Sequence, residues 1–163
     1  MQRFTQKYVL VHFLQPTPDS TLFAAKNWPL HITLASNFQI RRKETGLIEK
    51  LQRLAAEHKS MSITAGSDAH FGPTGQVLVT TFDMTPELNK FHNALVQLLR
   101  ANGAIFDTPE YIESGYRPHA TVQSDVRFNR GDIAIVDSFA LVDRFPDEDP
   151  DFRRVIQSFT LGV

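Results

Sequence analysis

The chain predicts an α+β fold of two lobes packed as a single unit over residues 1–163, and three observations carry that reading. The pattern His-apolar-Thr-apolar occurs once in each half, as His31-Ile32-Thr33-Leu34 and His119-Ala120-Thr121-Val122. Each copy sits in a run that alternates apolar and polar residues, the period of a half-buried strand. Between the copies lie two apolar stripes at helical spacing, Leu47, Ile48, Leu51, Leu54, Ala55 and Leu88, Phe91, Leu95, Leu98, Leu99.

Taken in order, residues 8–14 (YVLVHFL) read as a buried strand stopped by Pro16 and Pro18. A short helix is expected at 20–26, and residues 30–36 carry the first motif as a strand. The clearest helix is 45–58, with Glu49, Lys50, Arg53 and Glu57 on its outer side. Strands are expected at 61–65 and 76–82, with the Phe71-Gly72-Pro73-Thr74-Gly75 turn between them. Thr85 as N-cap and Pro86 at the first helical position open a second helix, and Gly103 closes it. Residues 108–115 read as an irregular loop and 119–123 as the second motif strand. Strands over 133–142 and 155–161, separated by an acidic loop at 143–151, complete the chain. No linker or low-complexity segment divides it.

Composition narrows the function classes. Apolar residues make up 42% and charged residues 21%, an ordinary globular balance, and thirteen Phe supply a sizeable core. The absence of cysteine excludes disulfides, thiolate metal sites and a cysteine nucleophile. A net charge of −1 argues against a general polyanion binder. The expected partners are RNA ends or small cyclic nucleotides, bound through few phosphate contacts and with weak salt dependence. Met1-Gln2-Arg3-Phe4 opens without a long apolar run, so neither a leader nor a membrane span is expected. A cytosolic monomer without membrane contact is the default reading.

In a strand, side chains at i and i+2 share a face. His31 and Thr33 are therefore expected on one face with Leu30, Ile32 and Leu34 on the other, and His119 and Thr121 opposite Pro118, Ala120 and Val122. Six His and thirteen Thr yield roughly half an H-x-T per chain by chance. The weight therefore rests on context: both copies fall on strands, and Trp28-Pro29-Leu30 and Tyr116-Arg117-Pro118 precede them. Two imidazoles on facing walls can divide general base and general acid between them in an in-line displacement at phosphorus. Unperturbed imidazoles would give a bell-shaped pH profile centred near neutrality. Thr33 and Thr121 can donate to the non-bridging oxygens, where negative charge resides. The scheme calls for no cofactor and no metal.

With these residues in view, the chain resembles the 2H phosphoesterase superfamily, named for two H-x-T/S-x motifs on opposing strands. The likeness is to its branch of 2′-5′ RNA ligases and RNA 2′,3′-cyclic phosphodiesterases. Besides the motifs, it includes the Phe71-Gly72 turn, the helix bearing Leu88 and His92, and the Arg117-Pro118-His119 approach, from about residue 8 to 142. The resemblance implies a bilobal, pseudo-twofold fold with two antiparallel sheets facing a central cleft and helices outside. It implies catalytic roles for His31 and His119 and phosphate-binding roles for Thr33 and Thr121. Many members follow the second motif with Ala-Arg, whereas this chain has Gln123-Ser124; Arg117 or Arg127 is the expected substitute.

Further candidates each have a structural alternative. Trp28, Phe38 and Tyr116 can stack on a base at the cleft rim or pack in the core, and Tyr116 and Arg117 are taken as substrate-binding candidates. Arg41, Arg42 and Lys43 can attract a phosphate or form a solvated surface. His12, His58, His70 and His92 show no ligand spacing, and His12 reads as a satisfied structural histidine. The function expected is opening of RNA or nucleotide 2′,3′-cyclic phosphates to 2′-phosphates, with 2′-5′ ligation as a side activity. Alternatives are cleavage of 2′-5′ oligonucleotides or ADP-ribose 1″,2″-cyclic phosphate, or a non-catalytic module that binds nucleotides or RNA ends.

Overall fold

The computed structural model of the protein describes residues 6–41, 44–123 and 126–162. Met1–Phe4, Arg42, Lys43 and Ser124, which figure in the sequence reading, lie outside them. The elements run β1 (Gln6–Phe13), β2 (Leu22–Ala24), β3 (His31–Ile40), α1 (Glu44–Glu57), β4 (Met61–Phe71), β5 (Val77–Phe82) and α2 (Pro86–Ala101). They continue with β6 (Ile105–Phe106), β7 (His119–Thr121), β8 (Ile133–Val136), β9 (Ser138–Asp143) and β10 (Phe152–Thr160). One sheet has the order β2-β10-β9-β1-β3-β6, the other β7-β5-β4-β8, and the strand pairs in both are antiparallel. The fold is α+β, with the two motif strands β3 and β7 in different sheets.

Strand β1 shows why the first apolar run does not alternate. It lies inside its sheet between β9 and β3, and both its faces are covered. Tyr8 and Leu10 enter the main core, while Val9 and Val11 join a smaller cluster with Ala140, Val142 and Val155 on the opposite face. The main core joins both sheets to both helices through Ile32, Leu34 and Phe38 of β3, Leu47 and Leu51 of α1, Leu88, Phe91, Leu95 and Leu99 of α2, and Ile63 and Ala120 of the second sheet. Of the expected inward residues of both motifs, Leu30, Ile32, Leu34, Pro118 and Ala120 are buried, whereas Val122, one residue past the end of β7, is only half-buried.

Helix α2 has the ends its sequence predicts. The Thr85 side chain accepts from the Leu88 N–H at 3.1 Å, and Pro86 is the first helical residue. Gly103 follows at φ +85°, a conformation costly for any residue with a Cβ, and the Ala104 N–H returns to the Leu99 carbonyl at 3.0 Å. Four expectations change. Residues 20–26 form no helix; Leu22–Ala24 pairs with the edge of β10 instead, because three residues gain more from an open ladder than from an unnucleated turn. The strand expected over 133–142 breaks at Asp137 into β8 and β9, which belong to different sheets. Its burial pattern carries the signal: Ile133 and Ile135 are exposed in a one-sided strand, whereas Phe139 to Val142 are buried on both faces. Strand β4 runs six residues past the expected 65 to Phe71 through a bulge between Ala65 and Asp68, since β5 offers pairing that its polar residues do not advertise. Two short 3₁₀ turns, Pro109–Tyr111 and Glu113–Gly115, shape the expected loop at 108–115. No described helix is long and apolar enough to cross a membrane.

Candidate active site

The two motif histidines are tethered in the same way. His31 Nδ1 lies 2.8 Å from the Pro29 carbonyl, and His119 Nδ1 lies 2.7 Å from the Arg117 carbonyl, in each case two residues back along the chain. A carbonyl only accepts, so Nδ1 carries the proton and donates, leaving Nε2 as the lone-pair nitrogen of the neutral ring. The proline-containing approach to each motif supplies that carbonyl. Cross-strand neighbours complete the first wall: Phe13 is paired with His31, and Val11 with Thr33. On the second wall, His119 is opposite Thr81, and Thr121 opposite Val79.

Aromatic rings hold both imidazoles. Trp28 lies against His31 with ring centres 4.4 Å apart, and Phe13 meets it edge-on at 6.4 Å. Phe71 packs on His119 at 4.6 Å, and the Arg117 guanidinium sits over that same Phe71 ring at 4.6 Å. Burial is the chief cause that lowers the pKa of both histidines, only partly offset by the carbonyl bonds. His31 is held down to about 4, and the charge of His119 contributes to this, which places the two rings within electrostatic reach. The neighbouring Arg117 charge depresses His119 further.

A cavity of about 420 Å³ joins the walls, within the range of small-ligand sites. His31 and Thr33 line it from β3, Thr121 and Gln123 from the β7 side, and Trp28 closes one flank. His119 is not itself a lining residue; it lies on β7 two residues before Thr121, on the same strand face. Among the described residues the Thr33 and Thr121 hydroxyls have no protein partner, whereas the hydroxyls of Thr80 and Thr81 donate to the carbonyls of Phe128 and Ser67. The motif threonines thus retain free donors facing the cavity. No group of three or more His, Asp or Glu among the described residues is placed to hold a metal ion.

Other sequence candidates fall elsewhere. Tyr116 is not a rim residue: it is buried, its hydroxyl donates to the Thr33 carbonyl at 2.9 Å, and its ring stacks on His92 at 3.8 Å and 6°. Its ring face is occupied and its hydroxyl pKa is driven far upward by burial, so it ties the approach of motif two to motif one instead of meeting a base. Phe38 is fully buried against Tyr8 and Phe106. Arg117 is an exposed rim residue on Phe71, outside the cavity lining. Arg127 is engaged by Asp68 at 2.5 Å and Thr80 at 3.2 Å. The cations that line the cavity are Lys26, Arg144 and Arg153, which the sequence alone does not single out because none of them belongs to a motif. His12 is the satisfied structural histidine expected, with Nδ1 at 2.8 Å from the Ser138 carbonyl. His92 is fully buried and bridges the motifs: Nδ1 donates to the Leu34 carbonyl at 2.7 Å, and Nε2 accepts from the Glu113 N–H at 2.8 Å.

Each of the two antiparallel sheets carries one His-x-Thr pair, and His31, Thr33 and Thr121 line a single cavity. The model of the 2'-5' RNA ligase superfamily matches residues 4–148, and the chain belongs to that family. Solved structures share the fold at low identity. E. coli LigT complexed with 3'-AMP superposes with a TM-score of 0.60 at 17% identity, covering 97% of this chain and 99% of that one. TT0787 of Thermus thermophilus gives 0.60 at 18%, covering 95% and 97%. A crystal structure described as a phosphoesterase gives 0.59 at 16%, covering 97% and 99%. Comparison by sequence with curated proteins gives no match.

Proposed function

We propose that the protein is a metal-independent phosphodiesterase that opens 2′,3′-cyclic phosphates on RNA ends or nucleotides to 2′-phosphates. The observation that carries this reading is the matched tether of His31 and His119, each with Nδ1–H bound to the carbonyl two residues back, beside two free threonine hydroxyls. Family membership supports phosphoester chemistry, and LigT has been crystallised with 3'-AMP.

His31, held near 4, is neutral in the physiological range and suits the base. Its Nε2 takes a proton from water as the oxygen attacks phosphorus. The P–O3′ bond breaks in line, and the His119 imidazolium gives its Nε2 proton to the leaving O3′. The products are a 2′-phosphate and a 3′-hydroxyl, with His31 protonated and His119 neutral; one proton exchanged through solvent resets the pair. Thr33 and Thr121 donate to the non-bridging oxygens. A 5′-hydroxyl in place of water would leave a 2′-5′ linkage, which accounts for ligation as a side reaction.

The test is turnover of nucleoside 2′,3′-cyclic phosphates by purified protein in excess EDTA, with products identified by ³¹P NMR. Undiminished formation of the 2′-phosphate is expected. Activity that disappears with EDTA and returns with an added metal ion would overturn the mechanism. Tight binding of the cyclic phosphate without turnover would favour a binding module.

A further inference from the structure

The proposed chemistry uses one end of the cavity; the remainder is basic. Lys26, Arg144 and Arg153 line it together with Asn37 and Gln123, and no carboxylate is among the lining residues. Arg144 is anchored: it donates to the Tyr8 carbonyl at 3.1 Å and pairs with Asp107 at 2.9 Å. Arg153 differs. One terminal nitrogen donates to the carbonyls of Arg144, Pro150 and Phe152 at 3.0, 2.9 and 2.9 Å, but its Nε is buried without a partner. Lys26 is exposed and has no carboxylate partner among the described residues.

That buried N–H is out of a ligand's reach, but the second terminal nitrogen, Nη2, also makes no hydrogen bond to a described residue and is not buried, so it is the donor open to an acceptor. Two guanidiniums at one end also repel: burial first and then the Arg144 charge press the Arg153 pKa downward, and Asp143 offsets only part of this. Asp107 pairs with Arg144 and Asp143 lies within electrostatic reach of both guanidiniums, yet neither carboxylate lines the cavity, which is left with three cations on its wall. An anion with several acceptor oxygens can accept from the Arg153 Nη2 and the Lys26 ammonium and lessen the repulsion together.

We infer that this end is a second phosphate subsite, and that the substrate carries, in addition to the reacting cyclic phosphate, another phosphate seated on Arg153 and Lys26. This rests on the phosphodiesterase reading above, since that reading places the reacting phosphate between the histidines. The class of substrate is thereby narrowed to nucleotides or oligonucleotides phosphorylated at more than one position.

Equilibrium binding tests this without turnover. Calorimetry with adenosine 2′-monophosphate and adenosine 2′,5′-bisphosphate, at one salt concentration, should show the bisphosphate binding about tenfold tighter or more to the unaltered protein. The advantage should be lost in Arg153→Gln and weakened in Lys26→Gln, each checked for an unchanged melting transition. If Arg153→Gln does not fold, Lys26→Gln, altered at an exposed position, decides alone. Equal affinity for the two ligands, or an advantage that persists in a folded Arg153→Gln or is untouched in Lys26→Gln, overturns the subsite. A bisphosphate advantage in a protein that opens no cyclic phosphate supports the subsite and sinks the proposed reaction. Turnover without that advantage sinks the subsite alone.

Discussion

His31 and His119 share a backbone tether and differ in their surroundings, so their substitutions should agree in effect while their titrations differ. Replacing either by Ala should cost about 10²–10⁴-fold in kcat/KM on a cyclic phosphate, with circular dichroism unchanged because neither residue is fully buried and neither belongs to the hydrophobic core. Thr33→Ala and Thr121→Ala remove one neutral donor each and should be milder. A folded histidine variant with near-normal activity would refute these roles. The pH profile is more telling. Unperturbed imidazoles centre a bell near neutrality, but burial lowers both histidines here. A depressed base stays functional until the pH falls through about 4, and a depressed acid loses its proton below its ordinary 6.5. The kcat/KM maximum should therefore lie on the acid side of 6.5. In kcat it should move toward neutrality, because a bound phosphate favours the imidazolium. A kcat/KM maximum above pH 7 would contradict this ordering.

Between the elements, the link that matters joins α2, the loop before β7, and β3. His92 holds the Leu34 carbonyl and the Glu113 N–H, and Tyr116, stacked on it, holds the Thr33 carbonyl. The spacing of the two walls is thus set by neutral hydrogen bonds from one histidine and one tyrosine. The turn before Tyr116 is equally constrained: a Cβ on Gly115 would meet the Glu110 carbonyl oxygen at 1.9 Å. Tyr116→Phe keeps the stack and loses the bond to Thr33, for about 1 kcal/mol of stability. It should also lower kcat, since the direct tie between the approach to motif two and the Thr33 carbonyl is lost while β3 stays paired with β1. Thr85→Ala, which removes the α2 cap far from the cavity, should cost a similar ~1 kcal/mol and leave kcat alone. Denaturant melts and steady-state rates on the pair separate positioning from plain stability; equal kcat in both variants would refute the positioning role of Tyr116.

For the molecule as a whole, the buried imidazoles set an acid limit. His12, His31, His92 and His119 all have lowered pKa values, each chiefly through burial. The unfolded chain protonates these groups at about 6.5, the folded protein only at lower pH, so the unfolded state binds more protons in between. Above 6.5 the four rings are neutral in both states and contribute no pH dependence. Stability should therefore fall as the pH drops from 6.5 toward about 4, the value for His31. Calorimetric Tm between pH 8 and 4.5 measures it: a plateau above 6.5 and a decline below are expected, and a Tm that holds or rises on acidification to pH 5 would be inconsistent.

By itself, the sequence determined what depends on local periodicity and local chemistry. The two helices, the Thr85 cap and Gly103 end of α2, the strand faces of both motifs and the family resemblance are all legible, because apolar spacing and capping report on a few neighbouring residues. Tertiary structure alone decided what depends on partners distant in the chain. Whether 133–142 is one strand or two was settled by which sheets offer edges on each side of Asp137. Tyr116 and His92 became ties instead of rim or bystander residues because Thr33 and Leu34 lie 83 and 58 residues away in sequence yet within hydrogen-bond reach. The basic end of the cavity belongs to the same class: Lys26, Arg144 and Arg153 form no motif in one dimension, and only the pairing of β2, β10 and β9 brings their segments to the first motif.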